Sequence, residues 1–298
     1  MRLGYSSNAF VKFSLFEAVG KISELGFGGI EIMCDRPHLY PLDFNQKETA
    51  LLKESIAQRD LKITNLNSFT LFAIGDTYLP SWIEPLPERR KMRIEHTLAC
   101  LNLADFLGCA NISTAPGGPI EGMSWKEGLA LFYSGLERVI PPAEERKVRI
   151  LVEPEPNLLI ENSRQFKEFI RELRSPSIGL NFDIGHFFCV GEDPSAAFQE
   201  LLPWIGHIHL EDIAPNRVHR HLIPGKGAIN FLEVFRTIRK MNYPGDISLE
   251  LYPYVNTPVE AGRESLDYLL PLFADSGLIL ELPKSQVRPA GQESRKEI

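Results

Sequence analysis

The sequence predicts a single (β/α)8 TIM barrel with a C-terminal extension. Short apolar runs alternate eight times with longer amphipathic ones, the pattern of βα units and hence of a parallel sheet. A length of 298 residues accommodates eight such units, since closed barrels of this type take about 250 residues before elaboration. The long loops "DRPHLYPLDFN", "TLFAIGDTYLPSWIEPLPE" and "IAPNRVHRHLIPGKGA" all follow strands, the side on which a barrel builds its site. An open doubly wound sheet is the rival arrangement, but no GxGxxG turn follows the first strand.

Taken in order, "RLGYSS" alternates as a strand, and "SLFEAVGKISELGF" carries apolar residues at helical spacing before a Gly stop. "GIEIMC" precedes the helical "QKETALLKESIAQRD", and "KITNLNS" precedes "ERRKMRIEHTLACLNLADFLG". "NISTAP" leads into "SWKEGLALFYSGLERVIPPAEERK", and "RILVEPE" into "NSRQFKEFIREL". "IGLNFDIGH" is followed by "DPSAAFQELLPW", "IGHIHLED" by "INFLEVFRTIRKMNY", and "DISLELYPY" by "TPVEAGRESLDYLLPLFADS". No stretch reads as a linker, so residues 1–281 are expected to form one barrel. Residues 282–298, polar and without periodicity, are expected to form a tail.

A 44% hydrophobic and 24% charged composition is that of a soluble globular protein. The net charge of −7 disfavours a nucleic-acid partner, which is usually met by a basic face. Cys34, Cys100, Cys109 and Cys189 are widely spaced with no CxxC pair, as in a reduced, cytoplasmic protein. No apolar run approaches the ~18 residues of a membrane span, and the start lacks a signal-peptide core.

Four positions carry the chemistry. Glu153 in "RILVEPE", Asp183 in "IGLNFDIGH", His209 in "IGHIHLED" and Glu250 in "DISLELYPY" each lie near the C-terminal end of their strand. In a barrel such positions converge on the mouth. A single acid at a strand end is more often a cap or an ion-pair partner. Four metal-capable side chains on four consecutive strands are better explained by a shared ion, because buried carboxylates are costly unless paired or bound to metal. Three oxygens and one imidazole suit one divalent cation: Mn²⁺ or Mg²⁺ first, Zn²⁺ or Co²⁺ as alternatives.

"LVEPE", "NFDIGH", "HIHLED", "PGKGAINF" and "LELYPY" resemble the sugar isomerase/epimerase group of xylose-isomerase-like barrels. That group includes ketose 3-epimerases, hydroxypyruvate isomerases and inosose dehydratases, and its sister group is the zinc-dependent apurinic endonucleases. The resemblance implies Glu153, Asp183, His209 and Glu250 as metal ligands and His186 as a substrate contact. It further implies that Glu153 and Glu250 are the catalytic acid/base pair acting from opposite faces of a small sugar, ketose or polyol. A metal-polarised carbonyl would then carry the enediolate charge. A sugar or inosose dehydratase is the alternative on the same scaffold. A zinc phosphoesterase of abasic DNA and a non-catalytic sugar-binding module stand behind it.

"HIHLEDIAPNRVHRHLIPGKG" packs His207, His209, His219 and His221 together and raises the question of more ions. The three-ion site of the endonuclease branch needs further histidines after the third and fourth strands, where this chain has Asn67 and Ser113. One ion is therefore expected. For His219, Arg220 and His221 three readings stand: substrate contact, a second ion through His-x-His, or loop structure. Substrate contact is also expected of Arg217 in that loop and of Glu155, one step outward from Glu153. His207 sits one layer deeper than His209, Asp212 is a candidate to support a ligand histidine or the loop, and Lys226 is a solvated lysine by default. "APGGP" is an anion cradle or a plain turn. Phe69, Phe72, Tyr78 and Trp82 are expected to form an apolar wall over the pocket or a homodimer contact.

Overall fold

The computed structural model describes residues 1–281 and 283. The tail expected over 282–298 lies outside the described residues apart from Pro283. Eight parallel strands close in sequence order into a barrel, β1 pairing with both β2 and β8. They are β1 (Leu3–Ser6), β2 (Gly29–Met33), β3 (Lys62–Asn67), β4 (Asn111–Thr114), β5 (Arg149–Val152), β6 (Ile178–Asp183), β7 (Ile205–Leu210) and β8 (Ile247–Leu249). Helices α1 (Leu15–Leu25), α2 (Gln46–Ala57), α3 (Pro87–Leu107), α4 (Trp125–Arg146) and α5 (Ser163–Glu172) cover the first five strands. The rest of the ring is α6 (Ile184–Cys189), α7 (Pro194–Leu201), α8 (Phe231–Lys240) and α9 (Pro258–Ser276).

Local chemistry sets the helix ends where the sequence places them. Ser14 with Glu17, Asn45 with Glu48 and Ser124 with Glu127 form reciprocal caps, satisfying N–H groups that a helix start leaves open. Gly26, Gly108 and Gly277 close α1, α3 and α9 in the left-handed conformation.

Successive strand residues point to opposite sides. Ile30, Ile32, Leu66, Ile112, Ile150, Leu180, Phe182 and Ile208 are buried in the apolar layer that joins strands to helices. The residues alternating with them include Glu31, Asn65, Asn67, Ser113, Asn181, His207 and His209, all buried and polar. The lumen is thus a hydrogen-bonded floor: Thr64 and Ser248 hydroxyls pair at 2.8 Å, and Asn65 Nδ2 donates to both Glu31 and Ser113 at 2.9 Å. Such a floor holds side chains at the mouth in fixed directions.

One segment of the mouth differs from the sequence reading, and the glycine turn takes one of the two forms that reading offered. β6 ends at Asp183, so His186 belongs to the short helix α6 rather than to the strand. "APGGP" is a packing turn: Gly117 O accepts from Trp82 N and Gly118 O from Leu159 N, both at 2.9 Å. Gly117 and Gly118 have φ of 98° and 141°, and a Cβ on either would strike Leu159 or Ser81.

Candidate active site

Glu153 directly follows β5, Asp183 ends β6, His209 lies in β7 and Glu250 directly follows β8. All four are buried, and one donor atom from each lies within 4.8 Å of the others. Their focus is His209 Nδ1, which is 3.0 Å from Glu153 Oε1, 3.5 Å from Glu250 Oε2 and 3.8 Å from Asp183 Oδ2. On the other side of the ring, His209 Nε2 donates to Glu31 Oε2 at 2.6 Å. With Nε2 committed to Glu31, the ring presents Nδ1 to three carboxylates.

That arrangement demands positive charge at Nδ1. Burial opposes protonation of His209, but Glu31, Glu250 and Glu153 outweigh it and raise its pKa well above the usual imidazole range. Burial drives the Glu250 carboxyl well above its ordinary value, with Glu153, Glu31 and Asp183 adding to the push. Asp183 is buried too, yet the neighbouring His186 and His221 pull it below the ordinary range. Its Oδ2 has no hydrogen-bond partner. Three converging carboxylates, one free carboxylate oxygen and one imidazole lone pair fit a divalent cation of the Mn²⁺, Mg²⁺ or Zn²⁺ class.

Amides hold these carboxylates in place. Asn181 Nδ2 donates to Glu153 Oε2 at 2.8 Å, and Asn8 Nδ2 to Glu250 Oε1 at 2.9 Å. Asn67 Nδ2 lies 3.3 Å from both Glu250 Oε1 and Glu31 Oε1, so the third strand supplies an orienting donor where the endonuclease pattern would need a ligand. Below them His207 Nε2 contacts Ser248 Oγ at 3.0 Å and stands 3.5 Å from Glu31 Oε2, deep in the lumen.

A cavity of about 240 Å³ opens above the cluster. Glu153, Glu155, Glu250, Asn8 and Asn67 line it, with His186, His219 and His221 on one side and Phe69, Phe72, Tyr78 and Tyr252 among its apolar walls. This is a small-molecule volume, somewhat below the ~300 Å³ at which drug-sized sites begin. His186 Nδ1 donates to Pro154 O at 2.9 Å, leaving Nε2 without a partner. His221 Nδ1 donates to Glu250 O at 2.9 Å, and its Nε2 is 3.3 Å from His219 Nε2. Burial pushes His219 down to about 4 and His221 down to about 3. Glu155 Oε1 accepts from Tyr78 Oη at 2.8 Å, and burial pushes its carboxyl up to about 7.

Some residues singled out in the sequence lie away from the cavity lining. Arg217 and Arg220 are exposed and lie outside the cavity lining. Arg217 adopts φ 59°, donates to Phe188 O at 2.9 Å and stacks over the Phe188 ring, contacts that turn it away. Trp82 is fully buried and donates to Thr114 Oγ1, so it packs the core rather than walling the pocket. Asp212 touches no ligand histidine: its carboxylate accepts from the N–H groups of Ile213, Gly225, Gly227 and Ile229. Lys226 pairs with exposed Glu264. The four cysteines are free thiols.

Glu31 was missed in the sequence. Its signal was an acid in the apolar strand "GIEIM", at a position that a period of two turns into the lumen. Asn8, on the turn that follows β1, carried no signal at all.

A family model described as a xylose isomerase-like TIM barrel matches residues 19–272. An uncharacterized protein of Methanocaldococcus jannaschii is 29% identical over 261 residues, 84% of this chain and 83% of its own. An inosose dehydratase of Clostridium botulinum is 23% identical over 286 residues, 85% of this chain and 88% of its own. Among solved structures, a D-tagatose 3-epimerase-like protein superposes with a TM-score of 0.76 at 24% identity, covering 92% of this chain and 99% of that one. An IolI protein with a bound zinc atom gives 0.77 at 16% identity, covering 93% and 99%. Among the described residues no helix is long and apolar enough to cross a membrane.

Proposed function

The chain belongs to the xylose isomerase-like TIM-barrel family, and on that premise we propose that it is a divalent-metal-dependent isomerase or epimerase of a small sugar, ketose or related polyol. The observation that carries this reading is the convergence of Glu153, Asp183, His209 and Glu250 at the floor of a cavity that both glutamates line. Those four residues would hold the cation. Bound there, it supplies a Lewis acid that polarises a substrate carbonyl and offsets the charge left when the adjacent carbon loses its proton.

The protein's own part is to position and move protons. Asn8 and Asn67 fix Glu250 Oε1, and Asn181 fixes Glu153 Oε2, so each carboxylate keeps its direction while its other oxygen faces the common focus. A substrate carbon between them meets a carboxylate on either side. One glutamate accepts its proton, and the other returns a proton to the opposite face or, for isomerisation, to the neighbouring carbon. Phe69, Phe72 and Tyr252 give the cavity an apolar wall beside that carbon.

A metal-dependent dehydratase is the second reading. Its support is the buried, unpartnered Nε2 of His186 in the cavity lining, placed to carry a proton to a departing hydroxyl, together with a relative named as an inosose dehydratase. Incubating the Mn²⁺-loaded protein in deuterated water with ketoses, aldoses and inososes separates the two. Deuterium at the α-carbon without loss of water marks isomerase or epimerase chemistry. Loss of a water marks the lyase. If Glu153→Gln and Glu250→Gln kept wild-type exchange rates, the acid/base assignment would fail.

A further inference from the structure

Glu211 is the most anomalous side chain outside the cluster just described. It follows β7, is fully buried, and neither carboxylate oxygen has a hydrogen-bond partner. Its Oε1 lies so close to the Gly185 backbone that a Cβ there would come within 1.8 Å. A buried carboxylate with both oxygens open costs several kcal/mol unless a cation meets it or it takes up a proton.

Two neighbours suggest what meets it. Asp183, with its own unpartnered Oδ2, and His221 each bring a donor atom to Glu211, the three atoms lying within 4.8 Å of one another. His221 gives its Nδ1 proton to Glu250 O, so the lone pair of its neutral ring is on Nε2. Asp183 and His221 are themselves buried, so a cation held among the three would meet the open oxygens of Glu211 and Asp183 together.

We propose that Asp183, Glu211 and His221 hold a second divalent cation, with Asp183 shared between the two sites. Two carboxylates and an imidazole select a transition ion such as Mn²⁺ or Zn²⁺ over Ca²⁺. Because His221 also lines the cavity, this ion borders the substrate space. The inference rests on the first ion being held as proposed above, but not on the choice between epimerisation and dehydration.

The test is metal content and spectroscopy, with no assay of turnover. The full-length protein, stripped and then equilibrated with Mn²⁺ or Zn²⁺, is analysed for bound metal beside Glu211→Gln, His221→Asn and His209→Asn. About two ions per chain in the wild type and about one in Glu211→Gln and His221→Asn is the expected result. The Mn²⁺ electron paramagnetic resonance spectrum of the wild type should show exchange coupling through Asp183, and that of Glu211→Gln should not. One ion in the wild type, unchanged in Glu211→Gln and lost in His209→Asn, overturns the second site while leaving the first intact; Glu211 and Asp183 would then share a proton. No ion in the wild type overturns both. Thermal melts confirm that each variant is folded, and His221→Asn gives an independent reading if Glu211→Gln is not.

Discussion

Glu31 Oε2 stands 2.6 Å from His209 Nε2, joining β2 to β7 across the lumen although the two strands are not neighbours in the sheet. This contact determines which ring nitrogen of His209 faces the carboxylates. Glu31→Gln removes the charge while keeping the shape, and should weaken metal binding by about 10- to 100-fold, the usual effect of losing a partner behind a ligand histidine. Competition with a calibrated chelator measures it. Unchanged affinity would mean that the contact does not set the tautomer.

Metal removal should destabilise the fold, because the clustered carboxylates repel one another without a cation. Returning the ion at about 100 times its dissociation constant should restore about 2.7 kcal/mol. Melting curves with and without chelator read this directly.

Tyr78→Phe deletes the hydroxyl that donates to Glu155 Oε1. If Glu155 reads a substrate hydroxyl, its carboxylate loses orientation, and KM should rise by about tenfold with a smaller change in kcat. Steady-state kinetics on whichever sugar exchanges deuterium gives the split.

Asp212→Ala leaves the N–H groups of Ile213, Gly225, Gly227 and Ile229 without the acceptor that gathers the loop after β7. A loss of about 2–4 kcal/mol is expected from several unmet donors. It should appear as a lower urea midpoint.

His38 links two backbone segments: Ser7 Oγ lies 3.0 Å from its Nδ1 and Phe13 O 3.3 Å from its Nε2. Burial lowers its pKa, with hydrogen bonds to Phe13 and Phe10 opposing. The unfolded chain therefore binds the proton more readily. The associated stability is complete above about pH 6.5 and is lost as pH falls toward the depressed folded value, at up to about 1.4 kcal/mol per pH unit. Urea titrations at a series of pH values should show a shallower acid slope for His38→Gln than for the wild type.

Strands and helices were legible because burial imposes periods of two and 3.6 on the chain. Glu153, Asp183, His209 and Glu250 were legible for a related reason: a parallel barrel sends the ends of all its strands to one mouth. Loops obey neither period. Arg217 and Arg220 looked like anion contacts from composition alone, but the left-handed backbone at Arg217 and the Phe188 ring send that guanidinium elsewhere. Glu31 sits mid-strand rather than at a strand end, and Glu211 lies one residue beyond β7, where the alternation that points it back into the lumen runs past the strand itself.

The buried carboxylate of Asp35 accepts from the N–H groups of Phe72 and Ala73 and from Thr70 Oγ1, and Arg93 grips the carbonyls of Ser68, Phe69 and Pro80. The aromatic segment over the pocket is therefore clamped at main-chain atoms by residues from β2's loop and α3. Swapping that segment between homologues as a cassette would fail unless Asp35 and Arg93 travelled with it. Changes of substrate preference are most readily made by exchanging the side chains at Phe69, Phe72 and Tyr78 on an unaltered backbone.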